Sequence, residues 1–320
     1  MRQCYHGSNY FISTIQTGNA RTQLSMMNET TESKIARLEY WKSAVEIEPM
    51  GGGMTNLNFK VTDGNQEYAV RLGDDDPVHL ISRQNETECC RAAGESGVSP
   101  ELMYSEPGVL VVRFIAGRVF DETDVRDEGN LSRIVELLRR FHQEIPQKFR
   151  QVPVMFWVFQ VLRHYQHLLK EGNSRYRDRL TEFAGIAATL EKIIGKVNIV
   201  FGHNDLLASN FIDDGEKIWL IDFDYAGFNS PLFDLSNLAS NNELTADQEI
   251  MMTEDYFGSS RNREHWRSYY AMKCASLLRE TLWSMVSEIH SELDIDFSAY
   301  TAKNIERFDQ AFDEFQSEYQ

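Results

Sequence analysis

Gly202-His203-Asn204-Asp205-Leu206-Leu207-Ala208-Ser209-Asn210, followed by Ile221-Asp222-Phe223-Asp224, sets out an aspartate, an asparagine five residues on and a second aspartate twelve beyond that. Short apolar, strand-like runs lie beside both segments, Asn198 to Phe201 and Lys217 to Ile221. Phosphoryl transfer needs this spacing. Asp205, poised on a loop, can accept or orient the proton of an attacking hydroxyl. Asn210 comes round the loop toward the same place. Asp222 ends a strand and offers a hard oxygen, and Mg²⁺ takes one or two protein oxygens beside phosphate oxygens. The bland alternative is a capped turn in a solvated acidic loop, because H-x-D-x-x-x-x-N alone is a weak signal. The strand before it, the hairpin after it and the hydrophobic-Asp-Phe at the right distance point to an ATP- and Mg²⁺-dependent kinase with Asp205, Asn210 and Asp222 as its catalytic set. His203 reads as support for that loop rather than as chemistry. Asp224 reads as a cap or outer neighbour of the metal, with a second Mg²⁺ contact as the alternative.

Working outward, a nucleotide needs phosphate-binding groups. Gly51-Gly52-Gly53-Met54-Thr55-Asn56 lies between two expected strands. Its glycines let the backbone approach phosphate, and Thr55 and Asn56 add donors. It is neither a Walker A nor a G-x-G-x-x-G sequence, and an ordinary glycine-rich hairpin turn is the competing reading. Arg71, in Tyr68-Ala69-Val70-Arg71-Leu72, can hold the α and β phosphates if a helix carboxylate holds it in turn. Arginine in place of lysine keeps the charge and adds a planar fork. Glu86 is the expected partner, better placed than Glu88.

The bulk numbers agree with an enzyme of this kind. A chain of 320 residues can form two lobes with a proper core, and 42% hydrophobic residues make it globular. The net charge of -17 argues against non-specific binding to nucleic acid or to an anionic membrane. Four cysteines, two of them adjacent at Cys89 and Cys90 and none in a C-x-x-C pair, argue against a disulfide framework or a structural zinc site. They read as reduced thiols of a cytoplasmic protein. No stretch has the length of a signal-peptide core or a membrane span.

Periodicity divides the chain. Residues 1–28 read as a poorly ordered extension, although a misassigned start codon would explain them equally well. Thr31 to Ala44 reads as a helix. Strands are expected at Val45 to Pro49, Leu57 to Thr62 and Glu67 to Leu72, then a helix from Ser82 to Ser96, then strands at Leu102 to Ser105 and Val109 to Ile115. After Gly117 helices dominate: Leu131 to Glu144, Phe156 to Leu169, Arg177 to Ile194, Asp234 to Ser240, Ala246 to Tyr256, Arg263 to Ile289 and Tyr300 to Phe315. The expectation is a two-lobed, protein-kinase-like α+β fold. A small antiparallel-sheet N-lobe (29–117) would bind nucleotide, and a mainly helical C-lobe (118–320) would hold the catalytic and acceptor groups, with the cleft between them.

Over Ile47 to Phe315 the chain resembles the choline/ethanolamine kinase family, within the wider aminoglycoside-phosphotransferase and protein-kinase-like fold, bacterial members above all. Gly-Gly-Met-Thr-Asn at 52–56, Val-Arg-Leu at 70–72, Arg83-Gln84-Asn85-Glu86, His203-Asn204-Asp205-Leu206 with Asn210, and Ile-Asp-Phe-Asp-Tyr-Ala-Gly at 221–227 carry the resemblance. It implies that Asp205 is the base, that Asn210 and Asp222 hold Mg²⁺, and that Gly52, Gly53, Thr55, Asn56, Arg71 and Glu86 serve ATP. It also implies an interlobe linker at Val111 to Gly117 whose backbone, at Arg113, Phe114 and Ile115, meets adenine. The acceptor it implies is a small amino alcohol, choline or ethanolamine first. An aminoglycoside, thiamine or sugar kinase of the same fold is the nearer alternative, and a nucleotide-binding pseudokinase the more distant one. At the acceptor end the match breaks. Trp283 fits a family tryptophan, but Glu280 stands where a second is common, and Asn241 stands where a glutamate is common. Trp283, like Phe156-Trp157 and Tyr165, also suits plain helix packing, and Asp234 suits a helix cap that braces the catalytic loop. The oligomeric state, monomer or homodimer, stays open.

Overall fold

The computed structural model describes residues 31–51, 56–259, 262–291, 293 and 295–319. The extension at 1–28 and the phosphate-loop residues Gly52, Gly53 and Thr55 lie outside them.

The first described element, α1 at 31–36, is shorter than the expected Thr31 to Ala44 helix. The amides that would continue it are captured elsewhere. Trp41 turns its indole N–H back to the Ile35 carbonyl at 2.7 Å, and the Lys42 and Ser43 amides donate to the Asp63 carboxylate at 2.8 and 3.1 Å. Asp63 ends β2, so a strand terminus stops the helix from 20 residues away.

Five antiparallel strands follow, β1 (Glu46–Met50), β2 (Leu57–Asp63), β3 (Gln66–Leu72), β4 (Leu102–Glu106) and β5 (Val109–Arg113), in the spatial order β1-β2-β3-β5-β4. Alternation decides the faces. Phe59, Val61, Val70, Leu72 and Val111 point into a small core with Ile35 and Leu38. Arg71, between Val70 and Leu72, must therefore point to the opposite face. There it meets α2 (Arg83–Glu95), which Ser82 caps through the Asn85 amide.

Beyond the sheet the chain is mostly helical. β6 (Arg118–Val119) and α3 (Glu122–Arg126) lead into α4 (Glu128–Lys148), which runs through Pro146 to its last turn. Then come α5 (Val158–Glu171), α6 (Leu180–Ile194), the short strands β7 (Val200–Gly202), β8 (Phe211–Asp213), β9 (Ile218–Leu220) and β10 (Gly227–Asn229), and the helices α7 (Pro231–Asn241), α8 (Ala246–Phe257), α9 (Arg263–His290) and α10 (Phe297–Tyr319). From Tyr269 to Ser287, α9 is buried on nearly every side, packed by α5, α6, α7 and α10. A helix surrounded in this way carries apolar residues all round and has no single greasy stripe. β7 pairs with β10, and β6, β8 and β9 form a second small sheet. These two sheets hold the two halves of the catalytic sequence. The chain crosses between the lobes at Gly117, where a Cβ would sit 2.7 Å from the Asp213 carbonyl oxygen. Among the described residues, no helix is long and apolar enough to cross a membrane. Cys89, Cys90 and Cys274 are buried, free thiols.

Candidate active site

β7 delivers the chain into the catalytic loop, and Asp234 on the first turn of α7 holds that loop in place. Its carboxylate accepts the His203 amide at 2.7 Å and the Asn204 amide at 2.8 Å, and it meets His142 Nε2 at 2.8 Å. Burial alone would raise the Asp234 pKa, yet His142, His203 and the amides hold it below the ordinary aspartate value. Asp234 thus braces the loop as expected, but it is not the cap of its helix. The helix starts three residues earlier at Pro231, and Ser230 caps it through the Leu232 amide. His203 is fully buried, its Nε2 2.9 Å from the Ile221 carbonyl and its Nδ1 accepting the Asp205 amide at 3.3 Å. Burial lowers its pKa, so the neutral ring ties the Asp205 segment to the Asp222 segment. This is the supporting role. Asn204, at φ 66°, donates to the carbonyls of Gly202, Tyr225 and Gly227. Non-glycine residues adopt that conformation only where the surroundings impose it.

This scaffold brings the three sequence-marked residues to one place. The Asn210 side-chain N–H donates to the Asp205 carbonyl at 2.9 Å, and the Asn210 carbonyl accepts the Ile221 amide at 3.0 Å, next to Asp222. Asp222 has φ 68°, a second imposed left-handed residue. Asp205 has its pKa pushed up to about 7, by burial above all; Arg279 opposes the shift, while Glu280, Asp222 and Asp224 add to it.

On the nucleotide side, Arg71 Nη1 lies 2.5 Å from Glu86 Oε1, 2.9 Å from Asp222 Oδ1 and 3.2 Å from Asp224 Oδ1. Burial works against its charge, but Asp222, Glu86 and Asp224 hold its pKa well above the usual value. Glu86 is indeed the helix partner; Glu88 turns away to Arg91 and the Arg150 amide. Asp224 meets Arg83 at 2.6 Å and Asn56 Nδ2 at 3.1 Å, so it ties the two lobes together beside Asp222. Burial and Asp222 push its pKa up to about 6, against the pull of Arg71 and Arg83. Arg83 was not singled out in the sequence for a role of its own. It also binds Glu86 at 2.7 Å, and its place one helical turn before that glutamate was the available signal.

At the linker, the Arg113 amide donates to Glu101 O at 2.9 Å and the Phe114 amide to Glu67 O at 3.1 Å, while the Arg113 guanidinium pairs with exposed Glu101. Ile115 follows as a half-buried residue.

The acceptor side holds a group the sequence reading passed over. Arg279 on α9 is 2% exposed, with Nη1 2.7 Å from Glu280 Oε2 and 3.6 Å from Asp205 Oδ1. Its guanidinium lies 4.4 Å from the Tyr225 ring centroid and 5.9 Å from that of Phe156. A charged pair inside the apolar run Leu277-Leu278-Arg279-Glu280-Thr281-Leu282 was its signal in the sequence. Glu280 also accepts from the Tyr300 hydroxyl at 2.7 Å. Trp283 is buried, donates to the Tyr225 hydroxyl at 2.9 Å and packs on His79, so it backs this cluster from the core. Tyr165, wholly buried, also packs on His79. Asn241 donates to Asn237 Oδ1 at 3.3 Å, and Asn237 Oδ1 in turn accepts the Leu206 amide, next to Asp205.

A family model described as choline/ethanolamine kinase matches residues 47–276. Protein LicA of Haemophilus influenzae is 25% identical over 268 residues, covering 81% of this chain and 97% of its own. A choline/ethanolamine kinase family protein of Mesorhizobium loti, solved by crystallography, is 27% identical with TM-score 0.72, covering 91% of this chain and 97% of that one. A LicA structure in complex with AMP superposes with TM-score 0.66 at 22% identity, covering 92% and 98%.

Proposed function

Because the chain belongs to the choline/ethanolamine kinase family, we propose that Asp205, Asn210, Asp222 and Arg71 carry the transfer of the γ-phosphoryl of ATP to the hydroxyl of its acceptor. The protein is a phosphotransferase with an alcohol group as acceptor, and the acceptor class is a small amino alcohol. The observation that carries the residue assignment is the convergence of Asp205, Asn210 and Asp222 on one loop system, with Arg71 closing on Asp222 from the other lobe.

The acceptor oxygen forms a bond to Pγ as the bond from Pγ to the ADP oxygen breaks, and the hydroxyl proton passes to Asp205. A half-buried carboxylate with a pKa near 7 is matched to that task at neutral pH. Arg71, clamped by Glu86, stands where the triphosphate would replace its contact with Asp222. The donor set fits Mg²⁺. Asp222 offers a carboxylate, and the Asn210 amide nitrogen is occupied by the Asp205 carbonyl, so its oxygen is the ligating atom. Mg²⁺ bound there supplies positive charge against the charge developing on the phosphoryl oxygens. The linker amides of Arg113 and Phe114 already serve the sheet. Adenine contacts at the linker then fall to the Ile115 backbone and to groups other than those two amides, with Asn56 on the phosphate side.

Within the amino alcohols we assign a primary ammonium, ethanolamine-like, ahead of choline's quaternary one. A quaternary ammonium needs open aromatic faces. Here Arg279 already lies over Tyr225, and Glu280 can accept a further hydrogen bond from an ammonium N–H, which a quaternary ammonium lacks. ADP release in the presence of Mg²⁺ and ATP tests this, with ethanolamine, choline and an aminoglycoside as acceptors. Ethanolamine is expected to exceed choline in kcat/KM by about tenfold, the worth of one charge-assisted hydrogen bond. Faster turnover of choline removes the primary-ammonium preference. Turnover of the aminoglycoside alone replaces the acceptor class.

A further inference from the structure

Arg279 uses only one of its three nitrogens. Nη1 meets Glu280 and approaches Asp205, whereas Nε and Nη2 are shut off from solvent and have no hydrogen-bond partner. Those two atoms form one edge of the guanidinium, the side-on fork that matches a carboxylate with two parallel N–H···O bonds. Buried donors are almost always satisfied, so an orphaned pair on a fully buried cation marks a missing partner. A second orphan belongs to the same cluster. The Tyr165 hydroxyl is also buried without a partner, and its ring packs on His79, which packs in turn on Trp283 behind Tyr225 and Arg279. Arg279 cannot be there for Asp205 alone, because a contact of 3.6 Å through Nη1 leaves the fork unused.

We propose that the acceptor pocket reads a zwitterion: Arg279 and Tyr165 hold a carboxylate on the acceptor while Glu280 holds its ammonium. The acceptor is then a small hydroxy amino acid, an amino alcohol that also carries an acid group. This rests on the amino-alcohol reading above and narrows it. Glu280 and the ionised base Asp205 face one guanidinium, and a zwitterion leaves that net charge unchanged while setting each of its own charges beside its opposite. A plain amino alcohol would leave the Nε–Nη2 edge unpaired and buried in the complex as well.

Matched pairs differing only in the carboxylate give the test, with the full chain, Mg²⁺ and ATP, and ADP release as readout. L-serine is compared with ethanolamine, and L-homoserine with 3-amino-1-propanol. In the unaltered protein, the carboxylated member of at least one pair is expected to have a kcat/KM ten- to a hundredfold higher, mainly through KM. Arg279→Met should collapse that ratio toward one, and Arg279→Lys, which keeps the charge without the fork, should fall between. Glu280→Gln should instead weaken both members of a pair alike, because both carry the ammonium. The ratios are taken within each variant, so a loss of folded protein does not alter them. A decarboxylated member used as well as its partner by the unaltered protein overturns the proposal and leaves the amino-alcohol reading standing. So does a preference that survives Arg279→Met. No ADP release with any of the four acceptors, or with choline, would sink both readings together.

Discussion

Asp205 lies in a field of competing charges. Burial raises its pKa, three neighbouring carboxylates raise it further, and Arg279 alone among its principal neighbours pulls it down. A base must be deprotonated to accept a proton. The folded-state pKa of about 7 therefore predicts that kcat/KM rises with pH through an acid limb near 7, with activity lost below it. Arg279→Met removes the opposing influence, so its limb should move to higher pH; a limb that stays in place would show that Arg279 does not act on the base. Asp205→Ala should cut turnover by about 10²–10⁴-fold while ADP binding, followed calorimetrically, stays within a few-fold. Wild-type-like activity in that variant would remove Asp205 from the mechanism. This residue was legible in the sequence because phosphoryl transfer demands particular types at particular spacings. Arg279 was marked only by a charged pair inside an apolar run, which does not tell a solvent-facing arginine from one buried against the base.

At the scale of the element, the catalytic loop has little structure of its own and depends on α7. Asp234 satisfies two loop amides and His142 at once, with no exposed surface. Replacing it by alanine orphans three buried polar groups, each costing about 1–3 kcal/mol. Asp234→Ala should therefore destabilise the fold by roughly 3 kcal/mol or more, measured by denaturant unfolding with the slope monitored for a change in compactness. A loss below about 1 kcal/mol would mean that the loop holds itself. The expected helix from Thr31 to Ala44 fails at this same scale. Helical spacing is a local property, whereas Asp63, which captures the Lys42 and Ser43 amides, is distant in sequence. The start of α7 was missed for a related reason. The expected helix begins at Asp234, whereas Pro231 itself opens the first turn, where its missing N–H costs nothing. The three-residue strands β8 and β10 are too short to show any alternation.

At the scale of the whole molecule, the two lobes meet through polar contacts at the site. Arg83 and Asn56 join Asp224, Arg71 joins Asp222, and Asn85 donates to the Ala226 carbonyl at 2.8 Å. The lobes are thus joined through the groups proposed to meet phosphate. Arg83→Met should raise KM for ATP about tenfold with a smaller effect on acceptor KM, measured by varying each substrate in turn. Equal effects on both would place Arg83 outside the nucleotide side. The net charge of -17 keeps non-specific anion binding weak, so the proposed phosphate contacts rest on Arg71 and Arg83 acting locally and not on a basic surface.

The two-lobed kinase-like fold, the convergence of Asp205, Asn210 and Asp222 and the Arg71–Glu86 pair were legible in the sequence, because each is written as residue type and spacing along one or two elements, whereas the amino-alcohol class came from the family resemblance. Only the folded arrangement shows which charges surround Asp205, that Asp224 bridges the lobes, and that Arg279 lies buried with two of its nitrogens unpartnered. Those are facts about groups distant in sequence brought within a few ångströms in a low-dielectric interior. There, burial and pairing set the chemistry of a side chain more strongly than its identity does.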